Sequence, residues 1–284
     1  MDFRPSTTDP TALAAYVALF RDCFPSAAHL DSHYLLWLYA GNPAGRVVGM
    51  DAWDGERLAA HYVCIPAKAR FQGLDCRVLL SLNTATHPDY QGRGLFTRLA
   101  ELTYSAGAEA GFSAVYGVAN ANSTPGFVRK LGFNLVAALD ARVGIGRIDD
   151  EDPSKQQAQA EFHRVWTSEA LRWRCANPAR PFRIHRPLPG LLAASAPTGK
   201  PGLRAWAELP DIDGVSPTSF PPPAIRLHLG LRPKRLGARR WTWIDIPDRF
   251  RASPLNLIFR SLVAPADSPR SDAVYFGLLD FDAF

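Results

Sequence analysis

The chain has 284 residues, 47% hydrophobic and 21% charged, which is the balance of a folded globular protein and excludes a disordered one. No apolar run approaches the roughly 18–20 residues of a membrane-spanning helix, and the opening MDFRPSTTDP lacks the basic start and apolar stretch of a secretory leader. A net charge of +5 fits an anionic ligand or a solvated basic face; its densest cluster, Arg232, Lys234, Arg235, Arg239 and Arg240, lacks the interleaved aromatics of an RNA-binding surface, so nucleic acid is not the expected partner.

In chain order, apolar spacing predicts a helix over 10–24 and a second over 32–40. Strands follow over 47–53 and 57–65, with a loop expected at Pro66, and then over 78–86. Leu95, Leu99, Leu102 and Ala106 recur at helical spacing and predict a helix over 95–110. A short apolar strand over 113–119, a helix over 125–131 ended by Gly132 and a last strand over 133–143 complete the first half. This order of helices, strands and then β-α-β-α-β is that of a mixed α/β sheet. The four cysteines, Cys23, Cys64, Cys76 and Cys175, form no CxxC pair, which argues against a zinc site or a disulfide framework and fits a reducing, cytoplasmic setting.

The acidic run from Asp149 to Asp152 with Pro153 reads as a linker, dividing the chain into domains over 1–148 and 157–284. The proline-rich stretch from Pro197 to Pro233 predicts long loops between short edge strands, because proline cannot donate to a sheet ladder. The two halves share wording: SHYLLWLYAGNP at 32–43 aligns, with one gap, to SEALRWRCANP at 168–178. Each reads as a helix capped by its serine and ended at Asn-Pro, either by chance or because the second half is a diverged copy of the first. In the second half Trp206, Trp241, Trp243 and Phe250 lie among arginines, an arrangement suited to core packing or to a sugar or nucleotide acceptor.

Chemistry concentrates at LSLNTATHPDYQGRGLF, residues 80–96, where a strand runs through a glycine-rich turn into a long helix. Unpaired amides and the helix dipole gather positive potential at such a junction, and Gly92 and Gly94 clear space for a bulky anion. A Walker A loop is absent, and Thr97 stands where a dinucleotide fingerprint needs its third glycine. The run Gln91-Gly92-Arg93-Gly94-Leu95 resembles the coenzyme A signature Q/R-x-x-G-x-G/A of the GNAT superfamily of acyl-CoA-dependent N-acyltransferases. Asn120, Asn122 and Ser123, followed by Lys130-Leu131-Gly132-Phe133, are similar to the family's asparagine and K-x-G-F segment, so the likeness covers residues 30–140.

That resemblance implies a GNAT-like first domain with splayed central strands, followed by a C-terminal α+β domain that is a degenerate repeat or closes the acceptor side. It implies that acetyl-CoA is the co-substrate, that the strand parts from its neighbour at a bulge near Ala85 and Thr86, and that pantetheine lies in the gap. The pyrophosphate would then sit on the amides of Gln91, Gly92, Arg93, Gly94, Leu95 and Phe96. Asn120, Asn122 and Ser123 would flank the cofactor or cap a helix. Two departures matter: Phe96 replaces a small residue, and Phe127 and Val128 occupy the neighbourhood of the tyrosine that commonly protonates the thiolate. His87 and His61 are candidate bases, Tyr116 and Tyr90 candidate acids, while Ser81 and Asn83 line the cleft or face solvent. The implied reaction is acetyl transfer to a primary amine of a small molecule, such as an amino sugar or its nucleotide-linked form, with no metal. A longer acyl donor and a non-catalytic module binding CoA or a polysaccharide precursor are the alternatives, and an oligomer is left open.

Overall fold

Asp9 starts the first helix by accepting the amide of Ala12, and Pro10 fills a position whose N–H would lack an intrahelical partner. The computed structural model describes residues 1–233, 242–251, 253–264 and 267–282. Its first half runs β1 (Asp2–Pro5), α1 (Pro10–Cys23), α2 (Ser32–Ala40), β2 (Val48–Asp54), β3 (Arg57–Phe71), β4 (Leu74–Thr86), α3 (Leu95–Glu109), β5 (Ala114–Ala119), α4 (Thr124–Leu131), β6 (Asn134–Ala138) and β7 (Asp140–Gly144). The second half runs α5 (Pro153–Gln159), β8 (Phe162–Arg164), α6 (Ser168–Cys175), β9 (Arg183–Leu188), β10 (Leu191–Pro197), β11 (Leu203–Pro210), β12 (Ile225–Gly230), β13 (Trp243–Asp245), β14 (Asn256–Ser261) and β15 (Val274–Tyr275).

The fold is mixed α/β, and among the described residues the strands form two sheets. The first has the order β1-β2-β3-β4-β5-β14-β6, with β8 and β15 continuing from the far end of β3. Residues of α1 and α2 (Tyr16, Phe20, Leu35, Tyr39) pack on one of its faces, and residues of α3 and α4 (Leu99, Tyr104, Phe127, Leu131) on the other. The second sheet has the order β13-β7-β12-β11-β10-β9.

Three expectations are corrected here. Strand β3 does not stop at Pro66 but passes through it to Phe71. Proline is tolerated because β2 has already left β3 at Cys64 and β8 joins only at Ala69, so on that side no ladder partner awaits its missing N–H. The expected strand over 133–143 divides at Leu139 into β6 and β7, which belong to different sheets, and the Leu139 amide is held by the Leu255 carbonyl at 2.7 Å. In the proline-rich region β11 and β12 are interior strands, and the prolines sit at the ends of β10 and β11 or outside the strands.

The acidic run is no bare linker: Asp149 is buried and accepts from Gln156 at 3.2 Å, while Asp152 caps α5. Both sheets draw strands from both sides of it, since β8, β14 and β15 enter the first sheet and β7 enters the second. The 1–148 and 157–284 division thus remains a proposal about ancestry rather than a partition of the hydrogen-bonded sheets.

The repeated wording does form two helices, α2 and α6, although their caps lie one residue earlier than the serines. Asp31 accepts from the Tyr34 amide at 2.8 Å and Thr167 from the Ala170 amide at 3.2 Å, each reaching three residues into its helix. The two copies pack against each other. Trp37 and Trp173 stack with ring centroids 5.0 Å apart, and each indole N–H donates to the other tryptophan's backbone carbonyl, at 3.2 and 3.1 Å. Asn42 and Asn177, the matching asparagines, are both buried, and each accepts the amide two residues ahead. Trp206 and Trp243 are core residues and Phe250 is 69% exposed, so no aromatic acceptor platform forms from these three. Trp241 and the basic residues Lys234, Arg235, Arg239 and Arg240 lie outside the described residues, whereas Arg232 lies over the Tyr275 ring and 3.8 Å from Asp149.

Candidate active site

Strand β4 pairs in parallel with β5 only over Val78–Leu80, although both strands continue beyond that point. From Ser81 onward β4 keeps its antiparallel ladder with β3 but has no strand neighbour on the β5 side. Its register against β3 slips between Leu82 and Ala85, and within that bulge Asn83 adopts the left-handed region at φ 46°. The parting thus begins a few residues earlier than the expected Ala85–Thr86. The opening is a groove of about 1350 Å³, larger than the ~300–1,000 Å³ usual for small-ligand pockets.

At one end of the groove stands the glycine turn. Gly92 and Gly94 have φ of 76° and 75°, and a Cβ built on either would meet nothing within 4 Å. Both glycines are therefore demanded by backbone conformation, and the space above them is open. Gly94 is the cap residue of α3, it provides no side-chain capping bond, and no acidic residue occupies the first turn. The first intrahelical bond is from Arg98 to Gly94, so the amides of Leu95, Phe96 and Thr97 are left for a ligand or solvent.

Of the residues singled out from sequence, Ala85, Thr86, Gln91, Gly92, Gly94, Leu95 and Phe96 line this groove. Asn120, Asn122 and Ser123 line its opposite wall. Asn120 Oδ1 accepts the amides of Asn122 and Ser123, both at 3.0 Å, and so closes the turn that starts α4; its capping role is occupied within the protein. The Phe96 ring packs edge-on against Phe127 and Tyr62, which removes its bulk from the turn. Arg93 is folded back, donating to the Asp89 carbonyl at 2.9 Å with its guanidinium over the Tyr90 ring, so only its backbone is available to the groove.

The proton-transfer candidates are scattered. Tyr116 is fully buried, donates to the Asp280 carbonyl at 2.9 Å and does not line the groove, because its ring packs among Phe162 and Phe276. His87 also lies outside the lining, 2.8 Å from an Arg57 amine and 3.4 Å from Asp22. Tyr90 borders the groove, but its hydroxyl donates to Asp54 at 2.8 Å, and this bond raises the phenol's pKa. His61 is buried beneath the groove floor and reaches it only through other side chains.

Residues not singled out for the site complete it. Leu255, Ile258, Phe281 and Asp282 from the second half line the groove. Asp282 is held by buried Arg174 at 3.0 Å and by the Tyr34 hydroxyl. Asp51, which accepts from His61 Nδ1 at 2.6 Å, was also missed; a lone acid inside the apolar run VGMDAW was the available signal.

The family model of the acetyltransferase (GNAT) domain matches residues 4–136. The chain carries a GNAT acetyltransferase domain. Beyond that domain, Eis1 from Mycobacterium abscessus superposes with a TM-score of 0.59 at 12% identity, over 92% of this chain and 74% of that one. A GCN5-related N-acetyltransferase from Anabaena variabilis gives 0.60 at 11% identity, over 92% and 73%. A conserved protein of unknown function from Enterococcus faecalis, described as a probable N-acyltransferase, gives 0.58 at 9% identity, again over 92% and 73%. At these identities the likenesses speak to the fold, and they extend through both sheets. No curated protein matches the sequence. The GNAT acetyltransferase domain at residues 4–136 supports an acyl-CoA-dependent N-acyltransferase, and the splayed strands with their glycine turn lie within that matched segment.

Proposed function

We propose that the chain transfers an acetyl group from acetyl-CoA to the primary amine of a small molecule by direct attack on the thioester. The supporting observation is the run of free helix-start amides over two open, left-handed glycines, opening into the gap between β4 and β5. The amides of Leu95, Phe96 and Thr97 would hold the diphosphate, and Gly92 and Gly94 would let it approach. The β5-facing backbone of β4 beyond Leu80 has no strand partner and would offer hydrogen-bonding groups to a pantetheine amide, although the Thr86 carbonyl already accepts from Cys23 Sγ and Gln91 Nε2, both at 3.4 Å. Bound there, acetyl-CoA supplies an acyl carbon activated by sulfur.

In the reaction the amine nitrogen bonds to the acyl carbon, the C–S bond breaks with its electron pair going to sulfur, and the proton lost by nitrogen ends on the thiol. The groove walls orient the reactants and shed water; positioning of this kind supplies several orders of magnitude in rate. A strong base is not required for an acceptor amine with a pKa near 8, a fraction of which is already neutral. Phe127 and Val128 carry no hydroxyl, so α4 does not supply a tyrosine for the thiolate at that position. The buried tryptophans give no support to a sugar-stacking surface, so an amino sugar enters as one member of an acceptor panel.

Free thiol measured with acetyl-CoA and a panel of small amines, amino sugars included, tests the reading. The expected result is thiol release that depends on one class of amine and is saturable in both substrates. CoA binding without acceptor-dependent release would point instead to a binding module. A faster reaction with longer acyl thioesters would reassign the donor.

A further inference from the structure

A chain of hydrogen bonds runs from the core of the first sheet to the groove wall. Asp51 accepts at Oδ2 from the Tyr16 hydroxyl at 2.6 Å, and at Oδ1 from Ser6 at 2.7 Å and from His61 Nδ1 at 2.6 Å. His61 Nε2 lies 3.0 Å from the Tyr39 hydroxyl, and Asn83 Nδ2 donates to that same hydroxyl at 2.9 Å. Tyr16, Tyr39 and His61 are fully buried and Asp51 is 2% exposed, so water does not complete these bonds. Asn83 alone of the five main links lines the groove.

The directions of these bonds are not free. A carboxylate accepts only, so His61 donates from Nδ1, and because the Tyr39 oxygen accepts from Asn83 Nδ2 the Tyr39 hydrogen turns to His61 Nε2. The amide of Asn83 thus turns its nitrogen to Tyr39 and its oxygen away. That oxygen has no hydrogen-bond partner among the described residues. The backbone assists: asparagine is among the few side chains that tolerate φ near 46°, and the bulge sits where β4 has left β5.

We propose that Asn83 Oδ1 accepts a hydrogen bond from the N–H of the attacking amine, aiming its lone pair at the acyl carbon. Asn83 is then a catalytic residue, and Tyr39, His61 and Asp51 are positioning residues that fix the sense of its amide. This role rests on the acyl-transfer reading above. Asn83 takes no proton; it orients the nitrogen whose bond to carbon forms as the C–S bond breaks, and the released proton reaches the thiol through solvent.

The test uses Asn83→Gly, which removes the amide while keeping a residue at ease at positive φ. Its kcat/KM for the amine should fall by about 100-fold, the scale of a lost orienting contact, with CoA affinity held within about twofold. Tyr39→Phe should lower the same parameter about tenfold in the parent chain and have no further effect in the Asn83→Gly background, because the tyrosine acts through the asparagine. In parallel, nitrogen NMR of His61 in the parent chain should show the proton on Nδ1 and a bare Nε2, a readout that needs neither variant to fold. An Asn83→Gly enzyme within about threefold of the parent, equal effects of Tyr39→Phe in both backgrounds, or a proton on Nε2 would each overturn the proposal. A parent chain that binds CoA but releases no acceptor-dependent thiol overturns the acyl-transfer reading and this role with it; an active parent and an unchanged Asn83→Gly overturn this role alone.

Discussion

Replacing Gly94 with aspartate separates ligand binding from folding. In the left-handed region an ordinary side chain costs about 1–2 kcal/mol, and aspartate pays the lower end of that range. Against this, Gly94 caps α3 without a side-chain bond, and an aspartate there accepts one of the free amides, recovering a few tenths of a kcal/mol, on the order of the difference between glycine and aspartate as caps. The net loss in stability is therefore under about 1 kcal/mol, and since a Cβ at Gly94 meets nothing within 4 Å no packing term is added. Binding responds differently. A carboxylate about 5 Å from a phosphate is repelled by roughly 1–3 kcal/mol between the dielectric of water and that of a protein surface. Occupying an amide that the diphosphate would use removes a charge-assisted bond worth about 1.5–3 kcal/mol. Together these come to about 2.5–6 kcal/mol, so CoA affinity should fall by at least about fiftyfold. Calorimetric titration of CoA, alongside urea unfolding of the same preparation, measures both quantities. A folded variant that binds CoA as tightly as the parent would refute the assignment of this turn to the diphosphate.

The tryptophan pair and the second sheet give two more expectations. Trp173→Ala removes a stacked ring and an indole donor from the Trp37 carbonyl, and should lower unfolding free energy by about 3 kcal/mol in urea titration; a loss below about 0.5 kcal/mol would show the pair to be a surface contact. His228 is fully buried, with Arg142 and Arg232 nearby, and burial above all holds its pKa well below 6.5. Its depressed folded value means that its stabilising contribution is present above pH 6.5 and is lost on acidification toward the folded pKa, at up to about 1.4 kcal/mol per pH unit. His228→Phe should flatten the acid limb of the stability–pH curve in that window, and an unaltered limb would assign the proton uptake to other groups.

Much of the first half could be read from local pattern, because its helices announce themselves with caps and spacing: Asp9 before Pro10, Gly132 after Leu131. The glycine turn was legible for the same reason, since its conformation is imposed by residues adjacent in sequence. What could not be read depended on partners distant in the chain. Whether Pro66 breaks a strand depends on where β2 ends, and whether the chain turns at Leu139 depends on the carbonyl of Leu255. The polar chain under the groove is distributed over β1's exit, α1, α2, β2, β3 and β4, so that only His61 and Asn83 of it were singled out from sequence, and not their connection. Tyr116 misled because a tyrosine in an apolar strand looks the same whether its hydroxyl meets a ligand or, as here, the carbonyl of Asp280.

The placement of β14 sets a schedule on the making of this enzyme. It hydrogen-bonds along the whole of β5 on one side and to β6 on the other, and among the described residues no other strand joins β6 to its sheet. A ribosome that has released the entire acetyltransferase domain has still not supplied the strand that completes it. Until Asn256–Ser261 emerge, β5 presents a bare edge of Ala-Val-Tyr-Gly-Val-Ala, a sticky and nearly uncharged template. Strand β14 therefore acts as the closing stitch of the catalytic half, and a cell making this chain has reason to shield the nascent product until Asn256–Ser261 have emerged.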